Sequence, residues 1–145
     1  MDYLKRAHEL NETLLRDRRA LHSHPETGCE VPQTSAYIRA QLEEMGLEVK
    51  ACGRCGLTAL TGKKEDGPVL LMRADIDALP MQEESGLPFA SQTPGKAHCC
   101  GHDNHAAMLL GAARMLKENE DALEGRVKLM FQPGEETGDG CLEMI

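Results

Sequence analysis

At 145 residues with 41% hydrophobic content, the chain is long enough to enclose one apolar core, which excludes a disordered tail or a miniature fold held only by disulfides. A formal net charge of −8 argues against nucleic acid or an anionic membrane surface as partner, because nothing here would neutralise phosphate. The opening MDYLKRAHEL is charged where a signal peptide needs an apolar run, and no later stretch reaches the ~20 apolar residues of a membrane span, so a cytoplasmic protein with reduced thiols is expected.

Leu4, Ala7, Leu10, Leu14 and Leu21 recur at helical steps and predict one amphipathic helix that stops near His24-Pro25. A second helix is expected from about Gln33 to Met45, with Ile38, Leu42 and Met45 on one face and Gly46 placed to end it. Leu47, Val49 and Ala51 alternate with polar neighbours, and Leu57 to Thr61 reads as a second short strand beyond the turn-like GRCG. Val69-Leu70-Leu71-Met72 is a continuous apolar run, the pattern of a strand covered on both faces. Asp103 is placed to cap a helix from about Asn104 to Lys117 whose apolar residues surround most of its circumference, as in a buried helix. After the acidic, solvated run Glu118 to Glu124, the alternation of Val127, Leu129 and Phe131 predicts a last strand ending at Gln132-Pro133, with GEETGDG as a loop. This order predicts an α/β sandwich with some parallel pairing in a single domain.

Three segments carry chemistry: RADIDALP (Arg73 to Pro80), HCCGHDNH (His98 to His105) and QPGEE (Gln132 to Glu136). Two of them follow predicted strands, where open α/β sheets gather ligands from residues far apart in sequence. Cys100 and His102 offer a thiolate and an imidazole two residues apart, with Gly101 permitting the turn that aims both at one ion. Taken alone, the cysteines also read as small buried residues and the histidines as surface groups. Glu135-Glu136 fits a division of labour in which one carboxylate holds metal and the other takes a proton, though adjacent glutamates are also ordinary solvated surface. Asp75 or Asp77 could orient a ligand histidine by accepting its second N–H, or could simply serve the turn before Pro80. His22-Ser23-His24-Pro25-Glu26 reads as a helix end whose histidines cap carbonyls or pack near the loop.

Four runs in order, RRALHSHPETGCE (Arg18 to Glu30), RADIDALPMQEESGLPFAS (Arg73 to Ser91), HCCGHDNHAAMLLGAA (His98 to Ala113) and FQPGEETGDG (Phe131 to Gly140), resemble the amidohydrolase branch of the aminoacylase and carboxypeptidase-like metallopeptidases. That branch includes hippurate hydrolases, N-acetyldiaminopimelate deacetylases and auxin-conjugate hydrolases. The resemblance implies a three-layer α/β/α sandwich with a mixed sheet, of which residues 1–145 would be the N-terminal part of the catalytic domain, lacking a lid domain that mediates homodimerisation and two further ligand histidines. It implies that Cys100, His102 and Glu136 bind metal, that Glu135 is the general base and that Asp77 supports the site. It further implies an N-acyl amino acid substrate and two divalent ions, Zn²⁺ or Mn²⁺ with Co²⁺ or Ni²⁺ as substitutes. Cys99 and Gly134 stand where alanine is usual in that branch, both small changes. The rival reading takes Cys52-Gly53-Arg54-Cys55 as half of a structural zinc site completed by Cys99, Cys100 or His98, or as a redox pair. Against it, no second CxxC matches the first and no helix start follows Cys52.

Overall fold

The computed structural model describes all of residues 1–145. Three helices come first, α1 (Tyr3–Glu9), α2 (Asn11–Ser23) and α3 (Pro32–Glu44). Strands β1 (Val49–Cys52), β2 (Gly56–Thr61) and β3 (Val69–Asp75) follow, then the long helix α4 (His102–Glu118) and strand β4 (Arg126–Gln132). Short 3-10 turns occupy Glu120–Ala122 and Gly140–Glu143.

The single helix expected over Leu4 to Leu21 is in fact two. Leu10 leaves helical geometry at φ −85° and ψ 0°, while its N–H still reaches the carbonyls of Arg6 and His8. The apolar stripe passes through this break unchanged, so spacing cannot reveal it. α1 buries no residue and is tied down by two bonds from the Arg6 guanidinium to Glu118, at 2.7 and 2.8 Å. α3 starts with Pro32 in its first turn, where the missing N–H costs nothing, and ends before Gly46 as expected.

The sheet has the order β1-β2-β4-β3. β1 and β2 form an antiparallel hairpin, β2 pairs antiparallel with β4, and β4 pairs parallel with β3. The sheet is therefore mixed and the fold is α/β, as the sequence predicts. Joining parallel neighbours requires a crossover, which α4 supplies. α3 and α4 pack on the sheet and on each other, and α1 and α2 pack on α4. Phe131, Leu129, Leu110, Ile38 and Leu42 are fully buried between these layers. With two phenylalanines and no tryptophan the core is aliphatic, each such side chain contributing about 1.5–3 kcal/mol.

Two expectations are corrected here. Val69, Leu70 and Leu71 are 52, 61 and 53% exposed, not covered on both faces. Within residues 1–145 β3 is the outer strand, and the register that sets Val69 beside Arg126 and Leu71 beside Lys128 turns both toward the face that no helix of these residues covers. A continuous apolar run specifies a strand but not what covers it. α4, in turn, starts at His102, not near Asn104, and its N-cap is Gly101 without a side-chain cap. Asp103 lies inside the first turn with other partners, and Met108 faces solvent, so the helix is buried on one side only.

Candidate functional site

Because β3 and β4 run parallel, both deliver their carboxyl ends to one edge of the sheet. β3 ends there with Asp75-Ile76-Asp77, and β4 with Gln132 followed by Pro133-Gly134-Glu135-Glu136. The segment after β3 makes an excursion and returns, its ends closed by a pair of backbone bonds between Leu79 and Ala97, both 3.0 Å. Cys100, Gly101 and His102 therefore arrive at that same edge. Gly101 adopts φ +89°, the left-handed region that favours glycine, so the turn expected between the two candidate ligands is present. Gly134 is also left-handed, at φ +65°, and a Cβ there would lie 2.5 Å from Cys29 Sγ. Glycine at position 134 is thus matched to Cys29.

Asp77 is fully buried and organises the edge. Its carboxylate accepts the backbone N–H groups of Glu135 at 3.0 Å and Glu136 at 3.2 Å. Its main-chain carbonyl lies 2.8 Å from His102 Nδ1. A carbonyl can only accept, so Nδ1 carries the proton and Nε2 presents its lone pair. The expected arrangement, a carboxylate of Asp75 or Asp77 orienting the ligand histidine, is corrected for His102. The Asp77 carboxylate is 3.6 Å from Nδ1 and is taken up by the amides of the Glu135-Glu136 turn, leaving the carbonyl to hold the ring.

The ligating atoms of Cys100, His102 and Glu136 all lie within 4.8 Å of one another. His102 Nε2 is 3.6 Å from Glu136 Oε1 and 3.8 Å from both Glu135 Oε2 and Asp75 Oδ1. An imidazole lone pair thus faces three carboxylates, none of which can donate to it. A cation reconciles such a set, and thiolate, imidazole and carboxylate suit a divalent metal. The neighbouring carboxylate of Glu136, with Glu135 and Asp75 adding to it, pushes the Cys100 thiol up to about 11. A metal ion would invert that preference by taking the thiolate as ligand.

A second group, Asp75, His102 and His105, shares His102 with the first. His105 Nδ1 is 2.5 Å from Asp75 Oδ1, and its ring stacks on that of His102 with centroids 5.5 Å apart. Burial pushes the Asp75 carboxyl up, but the bond from His105, with His102 and the Arg73 guanidinium close by, outweighs it and holds it below its ordinary value. The sequence reading leaves His105 out, although its i,i+3 spacing from His102 puts both on one helix face.

Cys52 and Cys55 take no part. They flank the turn of the β1–β2 hairpin and join neither cluster, while Cys100, offered as their partner in the rival zinc reading, lies with His102 and Glu136 instead. Cys52 Sγ has the Met144 carbonyl as its neighbour at 3.6 Å, and all six cysteines are free. His24 bonds the Ala20 carbonyl at 3.2 Å, the capping role expected of it. His22 is bonded instead to Asp103 and Glu83.

The mixed sheet with sulfur, nitrogen and oxygen donors gathered at its carboxyl edge defines an α/β domain of metallopeptidase type. The chain belongs to peptidase family M20/M25/M40, whose model matches residues 71–145. It is 45% identical over 137 residues to the N-acetyl-L-cysteine deacetylase of Bacillus subtilis (strain 168), which covers 94% of this chain and 33% of that protein. It is 46% identical over 130 residues to the IAA-amino acid hydrolase ILR1-like 4 of Arabidopsis thaliana, covering 88% of this chain and 29% of the relative. The crystal structure of the Bacillus subtilis YXEP protein, described as a dinuclear metal binding peptidase from the M20 family, superposes with a TM-score of 0.89 at 42% identity. That match covers 93% of this chain and 38% of the other. The chain therefore spans about a third of the length of the curated relatives it matches. No helix is long and apolar enough to cross a membrane.

Proposed function

We propose that residues 1–145 supply the metal-binding edge and the general base of a hydrolase that cleaves the amide bond of N-acyl amino acids. The observation that carries this reading is the meeting of Cys100, His102 and Glu136 within 4.8 Å beside the free carboxylate of Glu135. Cys100, His102 and Glu136 would hold the metal. Divalent ions bound there supply Lewis acidity, polarising the scissile carbonyl and making water easier to deprotonate. The thiolate favours Zn²⁺, while the other donors also accept Mn²⁺, Co²⁺ or Ni²⁺.

Glu135 is held only by its backbone, through Asp77, and its half-exposed side chain is free to reach a substrate. Its carboxylate takes the proton from the attacking water and returns it to the departing amine, so that amide and water become an amine and a carboxylic acid. Asp77 touches no substrate and acts by positioning Glu135, Glu136 and His102. Names of the relatives support an N-acyl amino acid substrate: one deacetylates N-acetyl-L-cysteine and another hydrolyses IAA-amino acids.

Three ligands are fewer than two filled metal shells demand, so these residues by themselves are expected to bind metal weakly and turn over little substrate. The test compares Glu135→Gln with Glu136→Gln, by metal titration and by turnover of hippurate and N-acetyl amino acids in a protein carrying the remaining ligands. Glu135→Gln should keep metal and lose activity, and Glu136→Gln should lose both. Full activity in Glu135→Gln sinks the assignment.

A further inference from the structure

His102 and Asp103 are adjacent in the first turn of α4 and point about 100° apart around its axis, so the rotation of the helix sets both side chains together. His102 faces the strand ends, while Asp103 faces α2 and is completely buried. Its Oδ2 accepts from Arg18 Nε at 3.1 Å and lies 2.8 Å from His22 Nδ1. Arg18 and His22 are four residues apart on α2 and so share one face of that helix. His22 Nε2 continues to Glu83 Oε1 at 3.1 Å, and Glu83 in turn accepts the backbone N–H of Ser91 at 2.6 Å. One buried carboxylate thus joins α2, the start of α4 and the excursion between β3 and α4. Gly101 provides no side-chain cap, so this clamp holds the α2-facing side of the α4 amino terminus, while His102 on Asp77 and His105 on Asp75 hold the side facing the strand ends.

We infer that Asp103, clamped by Arg18 and His22, is a positioning residue that fixes the rotation of the first turn of α4 and thereby aims His102 Nε2 at the carboxylates of Glu135 and Glu136. The inference rests on His102 being a metal ligand in the proposed function, but the clamp itself concerns this chain's own residues. Supporting groups behind a ligand histidine characteristically change metal affinity by about 10–100-fold when removed. Charge here adds to geometry, because an anion in the first turn of a helix is stabilised by its dipole.

The test uses the 145-residue chain with Asp103→Asn, which keeps the shape and removes the charge. The control is Asp17→Asn, which alters a comparably buried carboxylate on α2 whose partners are Tyr37 and Arg16. The first readout is metal-free: the long-range ¹H–¹⁵N spectrum of the His102 imidazole, which reports its Nδ1 bond to the Asp77 carbonyl. The second is Co²⁺ titration, followed by ligand-field and thiolate-to-cobalt absorption. Asp103→Asn should shift or broaden the His102 signal and weaken Co²⁺ binding by about 10–100-fold, whereas Asp17→Asn should lose stability and move neither. His22→Gln, which leaves the Arg18 bond in place, should shift both readouts less in the same direction and decides the matter if Asp103→Asn does not fold. An unshifted His102 signal with Co²⁺ affinity within about twofold of wild type, beside a stability loss like that of Asp17→Asn, overturns the inference. If the wild-type chain binds Co²⁺ too weakly to give bands, as three ligands allow, the metal-free spectrum alone decides the role of Asp103.

Discussion

Two glycine-containing turns of this chain carry cysteine, Cys52-Gly53-Arg54-Cys55 and Cys100-Gly101-His102, and they come to opposite ends. The first joins antiparallel neighbours at one margin of the sheet, where Arg54 is occupied by Glu30 and Glu143 and the thiols meet only a carbonyl and the apolar core. The second opens a crossover helix at the shared carboxyl end of two parallel strands, where carboxylates from two other segments already wait. Spacing makes a candidate in both places. Topology makes a cluster in only one, because parallel pairing brings the ends of β3 and β4 together whereas a hairpin turn points its residues away from the sheet. The largest effect is expected at Cys100 and His102. Cys100→Ser combined with His102→Ala should reduce Co²⁺ or Zn²⁺ binding by about a thousandfold, roughly 4 kcal/mol, which in a titration is loss of measurable binding.

No residue of the hairpin turn does what Asp77 does at the strand ends, where one buried carboxylate takes two backbone N–H groups. Asp77→Ala leaves two amides of the Glu135-Glu136 turn without their charged acceptor, and each such bond is worth about 1.5–3 kcal/mol. Urea unfolding should show a loss of about 3 kcal/mol, with metal affinity falling alongside. A loss near that of an ordinary surface substitution would mean that the turn is held by something else.

Acid should separate the two regions as well. His98, two residues before Cys100, is buried with neither ring nitrogen bonded, and burial pushes it down to about 4 from 6.5. As pH falls, the unfolded chain takes up this proton before the folded one does. The stability is therefore complete above about 6.5 and is lost progressively toward about 4, on the order of 2–3 kcal/mol. His98→Phe should flatten that part of the stability curve when unfolding is followed at a series of pH values. The hairpin-side carboxylates, such as Glu143 held low by Arg54, stay partly open to solvent and should add no comparable slope.

Most elements of the fold are legible in the sequence, because α3, β2 and β4 are bounded by proline, glycine and strict alternation. The break at Leu10 is not, since an apolar stripe has the same spacing in one helix or two. The exposure of Val69 to Leu71 is equally hidden, because it depends on which strand is the edge. At the candidate site, Cys100, His102 and Glu136 were readable by donor type and by resemblance, and they do meet. The sequence does not place Asp103, because an aspartate before a helical run looks the same as one inside the first turn, and only α2 packed alongside tells them apart. The resemblance implies that Asp77 supports the site but does not say how. Which backbone groups a buried carboxylate satisfies depends on where another strand ends, and no spacing encodes that.

The smallest expected effect belongs to the hairpin. Cys52→Ser with Cys55→Ser exchanges sulfur for oxygen at two half-buried positions, one beside a carbonyl that can accept from the new hydroxyl and one against the core. The first change should be nearly neutral and the second should cost a little for placing a hydroxyl beside apolar neighbours, so the pair should lower stability by about 1 kcal/mol or less. Metal affinity should be unchanged, because neither thiol lies among the groups that meet around His102. The value of this near-null result lies in its pairing with the first prediction. If the hairpin change weakened Co²⁺ binding as Cys100→Ser does, convergence at the parallel strand ends would not be what selects the metal site, and the CxxC spacing would have to be given that role.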